Sequence, residues 1–225
     1  MSEGLSAAEM SKEIGHHRSE ARADVISIIE AILLALVALV AGWSGFASAK
    51  WSTESRLSLA QSATARSQAS RAELRALDTR NFDSSTFNAW FTAYVAGDKQ
   101  AMAIAEKRFR PEFHVAFDAW QATNPETNPK APPGPTYMPE YKQPDAALAA
   151  ELDKKADDKY AEGQHDASTA DDYIRITVYL ATVLFLVGIS GHFKFRAARY
   201  GLVTIGVIVT LFAVATLTTL PGPPG

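Results

Sequence analysis

The chain has no cysteine, and this one absence removes disulfides, thiolate metal sites and cysteine nucleophiles together. It leaves the compartment open, since a cysteine-free protein suits either side of a membrane. Histidine is sparse as well: His16, His17, His114, His165 and His192 show no metal spacing on a shared helix face. No glycine-rich phosphate loop follows a strand, and neither an internal repeat nor strand-like alternation can be found. A formal charge of −3 is too small to argue for nucleic acid as a partner. No cofactor is expected.

What the chain does have is long apolar runs. Its mean hydropathy of −0.07 would suit a soluble domain, but that mean averages very apolar segments with very polar ones. Between 25 and 42 the only polar residues are Ser27 and Glu30, so the stretch reads as a membrane span. Two further runs, at 173–191 and 200–220, follow near the end. The expected fold is all-α, with three transmembrane helices and a helical-bundle extramembrane domain inserted between the first and second spans. In order, this gives a cytoplasmic tail over 1–23, span one at 24–43, an extracytoplasmic helical domain at 44–171, span two at 172–191, a cytoplasmic loop at 192–199, span three at 200–220 and a tail at 221–225. A cleaved signal at Ala47-Ser48-Ala49 fits less well, because the apolar run is long and the leader before it extended.

Orientation is read from short loops. The loop before span three carries Lys194, Arg196 and Arg199 without an acid, and the first tail carries Lys12, Arg18 and Arg22. Both place the N-terminus inside and 44–171 outside, with Lys50 and Arg56 arguing the other way. The lipid bilayer is thus the first expected partner.

Within span one, Ala31, Ala35, Ala38 and Gly42 share one helix face, a seam on which another helix can approach closely. Beyond it the helix is expected to continue to about 78, with Leu59, Ala63, Ala69, Ala72 and Ala76 inward, before Asp83 or Ser84 caps a shorter helix. In that helix Phe87, Trp90, Phe91 and Tyr94 recur at helical spacing. Gly97-Asp98 reads as a stop and a new cap, Pro111 as a kink or restart, and Phe113, Phe117 and Trp120 as its inward face. These aromatics are core or, less simply, a ligand box. Residues 122–144 hold seven of the eleven prolines. Tyr137, Met138 and Tyr141 suggest that this loop packs rather than dangles.

Glu30 is the sharpest single feature, a carboxyl inside the cytoplasmic half of the bilayer. At its depth the expected neighbours are Ser190, His192, Tyr200 and Thr204. It serves either as a proton or cation site or, more plainly, as a hydrogen-bonding lock between helices, protonated by desolvation. The run Arg66, Arg71, Arg75 and Arg80 reads as a solvated helix edge paired with Glu73 and Asp78.

Two stretches, Gly42 to Gly45 and Gly188 to Gly191, resemble the Gly-x-Ser-Gly element of rhomboid proteases. That likeness fails elsewhere, since rhomboids have more spans and His192 stands too near Ser190 in sequence to face it on a helix. A wider combination does hold together: Glu30 to Leu36, Ala41 to Phe46 with Lys50-Trp51-Ser52, Arg108 to Phe113 with Ala119-Trp120, Asn128 to Pro133, and Thr177 to Ser190. It resembles a group of bacterial three-span membrane proteins of unknown function, over about 24–220. The resemblance implies a bacterial inner-membrane protein and carries no activity. In layout alone the chain is also similar to the periplasmic sensor domains of chemoreceptors, but it has no transmitter.

The function expected first is non-enzymatic, acting by association as a homo-oligomer or an accessory subunit of a membrane complex. A ligand sensor signalling through a partner comes second. Third is a small oligomeric ion or proton conductor built on Glu30, which requires Glu30 to face the assembly axis.

Overall fold

The computed structural model describes the backbone of residues 7–193 and 195–225, and the side chains of 27–193, 195 and 197–225. Among the described residues it is all-helical, without a strand: α1 (Ala7–Val95), α2 (Lys99–Glu106), α3 (Pro111–Ala122), α4 (Pro144–Ser190) and α5 (Arg196–Leu217), with a 3-10 turn at Pro135–Tyr137. Three of these helices, α1, α4 and α5, are long and apolar enough to cross a membrane. Their large apolar side chains stay uncovered, with Leu39 71%, Phe185 65% and Leu211 65% exposed. Water would make that costly and lipid would not. The helix of the first tail is continuous with span one from Ala7, while residues 1–6 lie outside the described residues.

Contacts divide the chain into two units, Met1–Ser58 with Glu162–Gly225, and Leu59–Ala161. The first unit packs α1, α4 and α5 around Val37, Ile176, Leu180, Val183, Val187 and Ala213. Small side chains bring α1 and α4 close enough for a hydroxyl on one to reach the other's backbone. Ser44 Oγ donates to the Tyr173 carbonyl at 2.9 Å, and Ser55 Oγ to the Gly163 carbonyl at 2.8 Å. Gly163 is buried at this approach. On the other side Gly206 admits α5, since a Cβ there would lie 2.8 Å from Val187 Cγ2. The Tyr173 hydroxyl donates to the Pro221 carbonyl at 2.8 Å and ties down the C-terminal segment.

In the second unit α1 and α4 again run antiparallel. Ser62 Oγ donates to the Ala156 carbonyl at 2.7 Å, Arg66 bonds Asp153 at 2.5 Å and Asp157 at 2.7 Å, and Arg75 bonds Asp145 at 3.1 Å. These arginines therefore pair across helices, not with Glu73 and Asp78 along their own edge. The buried stripe of α1 is Ser62, Ala65, Ala69, Ala72 and Ala76, whereas Ala63 is exposed and Leu59 half-buried. Beside the pair lies an aromatic core of Trp90, Phe109, Phe113, Phe117 and Trp120, with Phe87, Tyr94, Met102, Met138 and Tyr141 packed on it.

Local chemistry explains the turns. Gly97 takes φ +71° and donates to the Tyr94 carbonyl at 3.0 Å, while Asp98 N donates to Ala93, which closes the end of α1 as a Schellman motif. Asp98 then caps α2 by accepting from Ala101 N at 2.9 Å, and Pro111 opens α3 at a position where its missing N–H costs nothing. The Pro-rich loop packs: Trp120 Nε1 donates to the Pro132 carbonyl at 2.8 Å, Pro135 is buried, and Tyr137 alone of its three large side chains stands out. A further expectation fails. No helix starts at Asp83 or Ser84, because α1 continues to Val95 and the Asp83 carboxylate is spent elsewhere.

Candidate functional site

Three polar or aromatic constellations stand out, and the first surrounds Glu30. On the inward face of α1, Glu30 is only 8% exposed. Ser190, fully buried at the end of α4, donates to its Oε1 at 2.9 Å. Arg199, in the first turn of α5, grips both oxygens, from Nε to Oε1 at 2.8 Å and from Nη2 to Oε2 at 2.6 Å, and also reaches Ser27 Oγ at 3.0 Å. A two-pronged guanidinium matches a carboxylate, not the protonated acid expected from desolvation. Of the expected neighbours the structure brings Ser190 to Glu30, while His192, Tyr200 and Thr204 are exposed. Sequence reasoning missed Arg199 because it placed that residue in the loop, whereas α5 begins at Arg196. The signal was available, since an acid inside a span calls for a cation at its own depth.

On the same helix Ala31, Ala35, Ala38 and Gly42 are all exposed, because α1 turns Val37 and Ser44 inward instead. A Cβ built on Gly42 would meet nothing within 4 Å. Among the described residues, then, nothing covers the small-residue face.

The second constellation is centred on Asp83, which is fully buried. It accepts from Arg110 Nε at 2.9 Å and Nη2 at 2.8 Å, and from the Tyr141 hydroxyl at 2.8 Å. Gln143 Nε2 extends the network to the Ala76 carbonyl at 3.2 Å. Burial, reinforced by the bond to Asp83, pushes the Tyr141 phenol up to about 12. The same carboxylate raises Arg110, so its charge is secure. This network clasps α1 to the start of α3 and to the segment entering α4.

The third is an open groove of about 500 Å³ in the second unit, bounded by Trp90, Phe91, Tyr94, Trp120 and the turn at Asn124 to Thr127. Trp90 stacks on Tyr94 at 5.2 Å between ring centres and 10° between planes. Phe91, expected to be inward, is 47% exposed. The Tyr94 hydroxyl donates to Glu126, and that bond, with the adjacent charge, raises the phenol above its ordinary value. Trp90 Nε1 is buried with no acceptor among the described residues. Phe113 and Phe117 lie deeper, fully in the core.

No family model, curated protein or solved structure matches this chain. Among the described residues no group of three His, Cys, Asp or Glu side chains is arranged to hold a metal ion.

Proposed function

We propose that the chain is a non-enzymatic integral membrane protein that acts by association, as a homo-oligomer or as an accessory subunit of a membrane complex. The observation carrying this reading is that Ala31, Ala35, Ala38 and Gly42 form an exposed face while the opposite face of α1 is used inside the chain. Helices in lipid gain little from hydrophobicity and much from close packing, so a run of small residues is best used against another helix. The setting belongs to the same proposal. It is a bacterial inner membrane, with the N-terminus inside and the helices between spans one and two forming a domain outside.

The absence of cysteine makes the test clean. With Ala38→Cys, oxidation in membranes is expected to give a covalent dimer, whereas Leu39→Cys on the lipid side is expected to stay single. Equal cross-linking at both positions would mean random collision and would sink the homo-oligomer. In the same background Gln68→Cys is expected to react with an impermeant maleimide on intact cells; protection until lysis would reverse the orientation.

A second reading, a ligand sensor that signals through a partner, is favoured by the aromatic groove. The conductor reading loses support, because Glu30 is occupied by Ser190 and Arg199 of its own chain.

A further inference from the structure

We propose that the groove beside Trp90 takes a small organic cation, a quaternary or protonated amine with apolar substituents, held between its aromatic wall and the carboxylate of Glu126. This rests on the sensor reading and names its ligand class. The groove's volume of about 500 Å³ falls within the range of small-molecule sites, about 300–1,000 Å³. Among its lining residues Glu126 is the one with a charge, and no lysine or arginine accompanies it. An anion would meet that carboxylate unfavourably. A hard metal ion would find a single carboxylate where it needs several oxygens.

An alkylated cation finds what it needs. Ring faces attract it through their negative quadrupole, and the carboxylate supplies the counter-charge. Phe91 has much of its surface open to such a guest, and Tyr94 holds Glu126 against the same wall through its hydroxyl. The rim is ordered before any ligand arrives: Asn124 closes α3 at φ 53°, Thr127 N donates to the Asn124 carbonyl at 3.1 Å, and Asn128 Nδ2 donates to the Thr123 carbonyl at 2.9 Å. A preformed site loses less on binding than one that must order itself.

The test uses the full chain in nanodiscs, with choline as probe and calorimetry and tryptophan fluorescence as readouts. Saturable choline binding is expected, weaker by about tenfold for the uncharged isostere in which carbon replaces the ammonium nitrogen. Glu126→Gln keeps an acceptor for Tyr94 and is expected to lose about tenfold in choline affinity, and Phe91→Ala, at an exposed position, to lose a similar factor. Equal binding of the isostere, an indifferent Glu126→Gln, or no saturable choline signal would overturn the assignment. A panel of neutral sugars and amino acids separates the two failures. A neutral compound that binds and is lost in Phe91→Ala overturns the cation and spares the sensor reading, whereas silence from the panel and from choline overturns both.

Discussion

A carboxylate among apolar helices is tolerated only when its charge is met, and at Glu30 the partner is Arg199 at 2.6 Å. The two members are not equally placed, since the Glu30 side chain is 11% exposed and that of Arg199 21%. Removing the cation strands the more buried charge. Arg199→Ala is therefore expected to cost about 2–4 kcal/mol, while Glu30→Gln, which leaves an arginine able to extend toward the interface, costs about 1 kcal/mol. Thermal unfolding in detergent checks the order, and a milder Arg199→Ala would contradict it. Replacing both by leucine should come closer to wild type than Arg199→Ala alone. The Asp83 network gives a pH signature. Tyr141 ionises near 10 when unfolded but only at about 12 in the fold, so between those values the unfolded chain sheds its proton first. The stability this phenol contributes is present below pH 10 and falls as pH rises to about 12. Wild type minus Tyr141→Phe should show that decline in unfolding free energy, and a flat difference would refute it. At this scale the sequence pointed to Glu30 and Ser190 because a polar side chain inside an apolar run is conspicuous. Asp83, Arg110 and Tyr141 were hidden because only tertiary structure joins residues so far apart in the chain.

The long helices are held together by small residues, and this is where pattern reading was weakest. Ala69, Ala72 and Ala76 were recognisable as inward, but Ser44, Ser55, Ser58 and Ser62, all nearly or fully buried, look like solvent positions in a hydropathy pattern. Physically Ser44, Ser55 and Ser62 suit a close seam, because a hydroxyl that reaches a facing carbonyl is satisfied at a separation no leucine would allow, and Ser58 is buried at helical spacing between the last two. Ser58→Leu is accordingly expected to cost about 1–3 kcal/mol by overpacking, read as a lower midpoint in a denaturant or thermal scan. An unchanged midpoint would mean that α1 and α4 do not depend on close approach there. The turns were easier to read. Gly97, Asp98 and Pro111 each impose a backbone constraint that acts locally, so their effects appear without tertiary knowledge. Asp83 misled for the converse reason: a good cap residue forms no cap once a guanidinium claims it.

For the whole molecule, three helices long and apolar enough to cross a membrane account for exposed side chains such as Leu39, Phe185 and Leu211, which a bilayer would cover. Lipid gives no comparable reason for Ala31, Ala35, Ala38 and Gly42, which fill little space and lie uncovered on one side of α1. A second helix does. The most direct test is the mass of the nanodisc-embedded protein, wild type against Ala35→Leu, with unfolding followed in parallel. Ala35 is exposed within the chain, so a leucine there leaves the subunit's own packing intact and alters only what docks outside it. Wild type is expected to form a discrete assembly that dissociates in Ala35→Leu at unchanged helix content and unfolding midpoint. An assembly indifferent to Ala35→Leu would contradict it, and a wild-type monomer would exclude the homo-oligomer and leave association with a different membrane protein.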